Sequence, residues 1–290
     1  MRKSVVIDTD AFNEIDDQFA LAYLLKSQEV LHTEAIYAAP FFNQNSVGPK
    51  DGMQKSYDEI LKLLHLTGHC QLTQKTYLGC EHFFNGSSSP VLSQAVEHLA
   101  ALAKQHSPEN PLYVIAIAAA TNIASALLYD PSIIPNIVVV WLGGNGYHWH
   151  NAKEFNLWQD LQAAKILFDS GVRMVHIPCM GVVSSMATTE PELVKNLQGK
   201  NQVCDYLLNV TLEDCRTRFC HPHWSRPLWD VAAVAYLVDQ SFTLSKEIHS
   251  PILLDDFTYG YSAQRHTIEY VYHTYRDKIY CDLFTKLSQY

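Results

Sequence analysis

The 290-residue chain reads as a single α/β domain, a mainly parallel (mixed) sheet with helices on both faces. Three observations predict this. Short β-branched or apolar runs alternate with segments of helical spacing. One of the runs, residues 137–142, is almost continuously apolar, as a strand covered on both faces requires. No linker, internal repeat or low-complexity tract divides residues 1–290, a length that can bury one large core.

Residues 4–8 form the first strand and end at Asp8. A helix follows over 17–26, with Phe19, Ala20, Tyr23 and Leu24 on one face. A strand at 33–39 leads into a polar loop at 40–52, rich in Asn, Pro and Gly. The next helix, 53–66, sets Tyr57, Ile60, Leu61 and Leu64 at helical spacing and has Gly68 beyond its end. A loop at 83–89, a helix at 92–105 and a strand at 112–117 come next, then a helix from about 121. The strand at 137–142 stops at Gly143-Gly144. A helix at 160–170 closes on Gly171, and a strand at 172–177 stops at Pro178. Residues 190–220 read as mostly helical, and 231–237 as a short apolar helix. The alternation over 267–273 predicts an antiparallel edge strand, and 277–287 a final helix.

Composition narrows the partners. Apolar residues are 48% and charged residues 18%, a folded rather than a disordered balance. Net charge is −9 and no Lys/Arg cluster stands out, so neither nucleic acid nor an anionic membrane is expected as a partner. The first apolar run is too short for a signal-peptide core, and Thr121, Asn122 and Ser125 interrupt the apolar segment 112–129. The expectation is a cytosolic protein. Seven scattered cysteines, an odd number, fit reduced thiols better than a disulfide framework.

In parallel sheets ligands sit at the carboxyl ends of the strands. There the chain places its strongest signal: Asp8, Asp10, Glu14, Asp16 and Asp17, five carboxylates within ten residues. Like charges this close repel, and a hard divalent cation with oxygen ligands removes the conflict. A plainer reading has Asp16 and Asp17 cap a helix, with Glu14 solvated. It leaves Asp8 and Asp10 unexplained. An aspartyl-phosphate phosphatase start is a poorer match, because Ala11-Phe12 fits badly and Asp16-Asp17 would have no role.

These residues resemble the inosine–uridine-preferring nucleoside hydrolase family, whose opening is Asp-x-Asp, a short loop, then Asp-Asp at a helix start. Asp8, Asp10, Asp16 and Asp17 match, with a loop two residues longer than the common form and without its Pro-Gly. Further blocks follow in order. The strand at 34–39 precedes Asn43; Ile117 precedes Thr121-Asn122; Leu142-Gly143-Gly144 precedes Asn151 and Glu154-Phe155-Asn156; Trp229-Asp230 opens an apolar helix. Beyond Asp239 the likeness fades.

The resemblance implies a calcium-dependent N-ribohydrolase acting in nucleoside salvage. Ca²⁺ would be held by Asp10, Asp17, Asp230 and the main-chain carbonyl of Ile117. Asp10 would take the proton of the attacking water, with Asn156 and Asp230 in the catalytic set. Asp16, Asn43, Asn151, Glu154 and Asn156 would hold the ribose. Trp229 stands where members that prefer pyrimidines commonly carry a His, which leans toward a purine stacked on the indole. The substrate would be a nucleoside, and family analogy suggests a homodimer or homotetramer. Two alternatives stay open: a non-catalytic protein that binds metal and ribose on this fold, and a hydrolase of another N-riboside.

Other residues invite weaker readings. Cys215, Cys220, His221 and His223 could suggest zinc, but the spacing favours a rim loop from which a His could reach the leaving group. His148 and His150, beside Trp149, are further candidates near the mouth. Cys179 fits an inert buried thiol better than a nucleophile.

Overall fold

The computed structural model describes residues 2–219, 221 and 223–290. Twelve strands and ten α-helices are assigned among them. The first strand, β1 (Lys3–Thr9), lies in the middle of the main sheet. It pairs in parallel with β2 (Leu31–Ala38) on one side and β4 (Leu112–Ala116) on the other. β3 (Thr76–Leu78) extends the sheet beyond β2. β5 (Ile137–Leu142) and β6 (Arg173–Ile177) extend it beyond β4, and β12 (Thr267–Thr274) and β9 (Thr243–His249) complete the far side. All pairings are parallel except β12 with β9. The chain therefore winds outward from β1 in both directions, and a crevice opens above β1 and β4, where the winding reverses.

Successive strand residues point to opposite faces. Ile7, Ile36, Ile115 and Val140 face a core built with α1 (Asp16–Lys26), α2 (Pro49–Leu66), α8 (Gln202–Arg218), α9 (Val231–Val238) and α10 (Arg276–Leu287). Val6, Tyr37, Val114 and Val139 face the other, packed by α3 (Gln94–Ala103), α4 (Thr121–Tyr129) and α6 (Leu161–Asp169). α5 (Phe155–Gln159) is a short turn of helix above the sheet, and α7 (Glu190–Leu197) packs with α8. Two small antiparallel ladders join β7 (Ala187–Thr188) to β8 (Arg226–Pro227), and β10 (Ile252–Leu253) to β11 (Tyr259–Gly260).

The expected α/β architecture is the one observed, with differences of detail. The strand at 267–274 is not an edge: it lies between β6 and β9, and β9 is the edge. β9 reads Thr-Leu-Ser-Lys-Glu-Ile-His, and its mostly unburied residues erase the apolar alternation that would reveal a strand. β3 is three residues long, too short to show any period. α2 begins at Pro49, a residue suited to a first helical turn, rather than at 53. The helical stretch at 190–220 breaks at Gly199, which takes φ +69°, and restarts when Asn201 caps the amide of Cys204.

Among the described residues, no helix is long and apolar enough to cross a membrane. The six described cysteines are all free thiols, and Cys220 lies outside the described residues.

Candidate functional site

β1 delivers Asp8 and Thr9 fully buried, and the chain then turns sharply, the amide of Asn13 donating to the carbonyl of Asp10 at 2.7 Å. Asp10 is completely buried, and neither of its carboxylate oxygens has a hydrogen-bond partner. Buried polar atoms in native proteins are nearly always satisfied, so two bare oxygens on one group mark a place meant for something else. Asp16 and Asp17 open α1, where the helix N-terminus favours negative charge. The Thr9 hydroxyl donates to Asp17, and the Trp229 amide donates to Asp16 Oδ2 at 3.0 Å. Asp230 arrives from the far end of the chain, just before α9.

Carboxylate oxygens of Asp16, Asp17 and Asp230 lie within 4.8 Å of one another, all three buried. Burial first, and the neighbouring acids next, push the carboxyls of Asp10, Asp17 and Asp230 well above the usual carboxylate range. Asp16 is pushed up to about 6, by burial and then by Glu14, with Arg226 opposing. Such a group of acids can stay ionised together only beside positive charge. An oxygen-only, carboxylate-rich donor set suits a hard divalent cation, and the bare oxygens of Asp10 fit the same group. The closest triad is therefore Asp16, Asp17 and Asp230, with Asp10 beside it. The sequence had paired Asp10, Asp17 and Asp230 and given Asp16 to the sugar. Asp8 lies deeper: Asn122 Nδ2 donates to it at 2.7 Å, and burial raises it to about 7.

These acids floor a cavity of about 370 Å³ at the carboxyl end of the sheet. Ile117, just past β4, lines it, with its amide bonded to the Asp8 carbonyl at 3.0 Å. Glu154 and Asn156 form the opposite wall. Glu154 caps α5 and accepts from the amides of Gly144 (2.7 Å), Asn156 (2.9 Å) and Leu157 (3.2 Å). Burial still lifts its carboxyl to about 7. Gly144 makes this possible: it takes φ +67°, and a Cβ there would meet the Tyr259 hydroxyl at 2.6 Å. Asn156 is buried, its side-chain amide donating to the Leu142 carbonyl at 3.0 Å. Trp229 and Asn151 also line the cavity, Trp229 half-buried.

Asn43 does not line it. Its side-chain amide donates to Asn13 Oδ1, and Asn13 forms the wall in its place. Glu14, read as solvated in the plainer interpretation, is held by Arg218 at 3.0 Å and by the buried Arg226 at 2.9 Å. That ion pairing joins positions more than 200 residues apart, so nothing local in the sequence signals it.

The opposite side of the mouth is the segment from Asn145 to Lys153, in which the sequence offers Asn151 as a ribose contact and His148 and His150, beside Trp149, as candidates near the mouth. His150 and Trp149 line the cavity, and His148 does not. His221 and His223 are exposed and lie outside the lining. Cys215 is buried in α8, so with Cys220 undescribed no zinc cluster is assembled among the described residues. Cys179 lines the cavity but is buried, and burial together with Glu154 pushes its thiol up, the direction of an inert thiol.

A family model described as inosine-uridine preferring nucleoside hydrolase matches residues 5–280. A probable ribonucleoside hydrolase of Dictyostelium discoideum is 26% identical over 160 residues, covering 52% of this chain and 46% of that protein. A probable uridine nucleosidase 2 of Arabidopsis thaliana is 26% identical over 232 residues, covering 72% and 69%. A pyrimidine-specific ribonucleoside hydrolase RihB of Escherichia coli is 24% identical, covering 49% and 46%. The chain thus aligns with about half the length of two of these three relatives. Among solved structures, a purine-preferring ribonucleoside hydrolase from Gardnerella vaginalis superposes with TM-score 0.80 at 21% identity, covering 99% of this chain and 98% of that one. A plant nucleoside hydrolase superposes with TM-score 0.79 at 18% identity, covering 99% of both.

Proposed function

The chain belongs to the inosine-uridine preferring nucleoside hydrolase family, and from that premise we propose that it hydrolyses the N-glycosidic bond of ribonucleosides, releasing free base and ribose. One observation carries the reading: Asp10, buried with both carboxylate oxygens bare, stands beside the buried triad Asp16, Asp17 and Asp230 at the floor of the cavity.

A divalent cation, calcium in this proposal, would be held by Asp10, Asp17 and Asp230 with the Ile117 carbonyl, and Asp16 within reach. When bound, it makes a water more acidic and anchors sugar hydroxyls. Asp10 accepts the proton of the attacking water, the role for which a carboxylate without other partners is free. Asn13, Asn151 and Asn156 orient the pentose by hydrogen bonds. Glu154, fixed by three backbone amides, presents a carboxyl that does not swing. As the C1′–N bond stretches, positive charge grows on the sugar, and the surrounding carboxylates stabilise it.

The cavity's half-buried Trp229 supports stacking of a purine base. The named relatives include uridine and pyrimidine enzymes as well as a purine-preferring one, so base choice rests on this chain's own indole. The deciding experiment measures ribose release from inosine and from uridine, with calcium and with a chelator. Calcium-dependent turnover favouring inosine is expected. A strong uridine preference sinks the Trp229 argument alone, and tight ribose binding without release sinks the hydrolase reading.

A further inference from the structure

A nucleoside whose hydroxyls face the acidic floor must point its base toward the mouth. The floor acids are at most 4% exposed, whereas Trp149 at the rim is 37% exposed. A base leaves poorly as an anion, so a proton donor at the mouth would lower the barrier. The carboxyls of the floor cannot serve, since they face the sugar. Lys153 also lines the cavity, but its ammonium lies over the rings of Trp158 and Phe257, 5.5 Å from each centroid. Among the described residues one histidine lines the cavity, His150.

Its loop is built to hold it there. Asn145, buried, donates from its side-chain amide to the carbonyls of Asn151 (3.2 Å) and Lys153 (3.4 Å) and accepts from the Met180 amide at 3.2 Å. The amide of Trp149 returns to Gly146 at 2.7 Å, and that of Ala152 reaches Phe257 at 2.7 Å. The Trp149 ring lies 5.6 Å from the imidazole. A buried amide that spends two hydrogen bonds on this rim segment and a third on the neighbouring Met180 loop fixes the backbone of the residues it encloses.

We propose that His150 is the catalytic acid that protonates the departing base, an assignment that rests on the ribohydrolase reading above. The C1′–N bond breaks with its electron pair passing to the base nitrogen, which takes a proton from the His150 imidazolium. The water oxygen bonds to C1′, and the water's proton goes to Asp10. His150 is solvent-exposed and regains its proton from water.

The test compares wild type with His150→Gln on inosine and on two ribosides whose leaving groups need no proton, p-nitrophenyl β-D-riboside and 7-methylinosine. His150→Gln should lose ~10²-fold or more in kcat on inosine and stay within about threefold of wild type on at least one activated riboside. Equal loss on all three substrates, or none on inosine, overturns the role of His150 while leaving the hydrolase intact. A wild type that releases ribose from none of the three defeats the underlying reading instead.

Discussion

Asp10 combines two properties that oppose each other. Its burial beside other acids is unfavourable in the protein alone, and the same placement leaves both oxygens free for chemistry. Replacing it with Asn removes the charge and keeps the shape. In the presence of a chelator, Asp10→Asn should therefore melt about 2–4 °C higher than wild type, while ribose release falls ~10²–10⁴-fold. Differential scanning calorimetry and a reducing-sugar assay check the two halves, and a lower melting point would show that the acids do not strain one another. The sequence displayed most of this group because Asp8, Asp10, Asp16 and Asp17 are neighbours in the chain, and Asp230 was recognisable through the Trp229-Asp230 block. It hid Asn13, Asn145 and the ties of Glu14, because each gains its meaning from a partner on another loop. The tie of Asn43 to Asn13 is a further contact between loops that the sequence does not signal.

At the level of elements, the end of β6 shows how the sheet sets protonation. His176 is fully buried against Trp141, Phe168 and Tyr147. Its Nε2–H donates to the Gly143 carbonyl at 2.7 Å, so Nδ1 accepts from the Tyr147 hydroxyl at 2.8 Å. Burial lowers its pKa to about 4, and the Gly143 bond opposes this only in part. The unfolded chain, with a pKa near 6.5, binds the proton first as pH falls. Stability from neutral His176 is thus complete above about pH 6.5 and drains away down to about pH 4, by ~3 kcal/mol at most. Urea unfolding of wild type and His176→Gln across that window should show a steeper decline in wild type. Parallel slopes would mean that the ring takes up its proton in the folded state near its ordinary pKa. Strands and helices long enough to repeat a pattern, such as β5 and α2, were legible in the sequence. β3, α5 and β9 were not, being too short or too exposed to carry a period.

Over the whole molecule, the fold gathers acids from opposite ends of the chain, Asp10 to Asp17 after β1 and Asp230 before α9. A ligand that binds only this folded arrangement stabilises it by about 2.7 kcal/mol at a hundred times its dissociation constant. Calcium should accordingly raise the melting temperature by about 5–10 °C, and a chelator should reverse it. A melting temperature indifferent to both would remove the cation from the site. The same architecture was readable at the outset as alternating strands and helices, but which helices share a face was not, since that depends on β1 lying centrally.

The span between Asp17 and Asp230 also bears on how the protein is born. A nascent chain on the ribosome displays its first cluster of acids long before their last companion has been synthesised. Until residue 230 clears the exit tunnel, those carboxylates have no completed cage. The complete set of acids therefore cannot guide the early stages by which the central strands find one another.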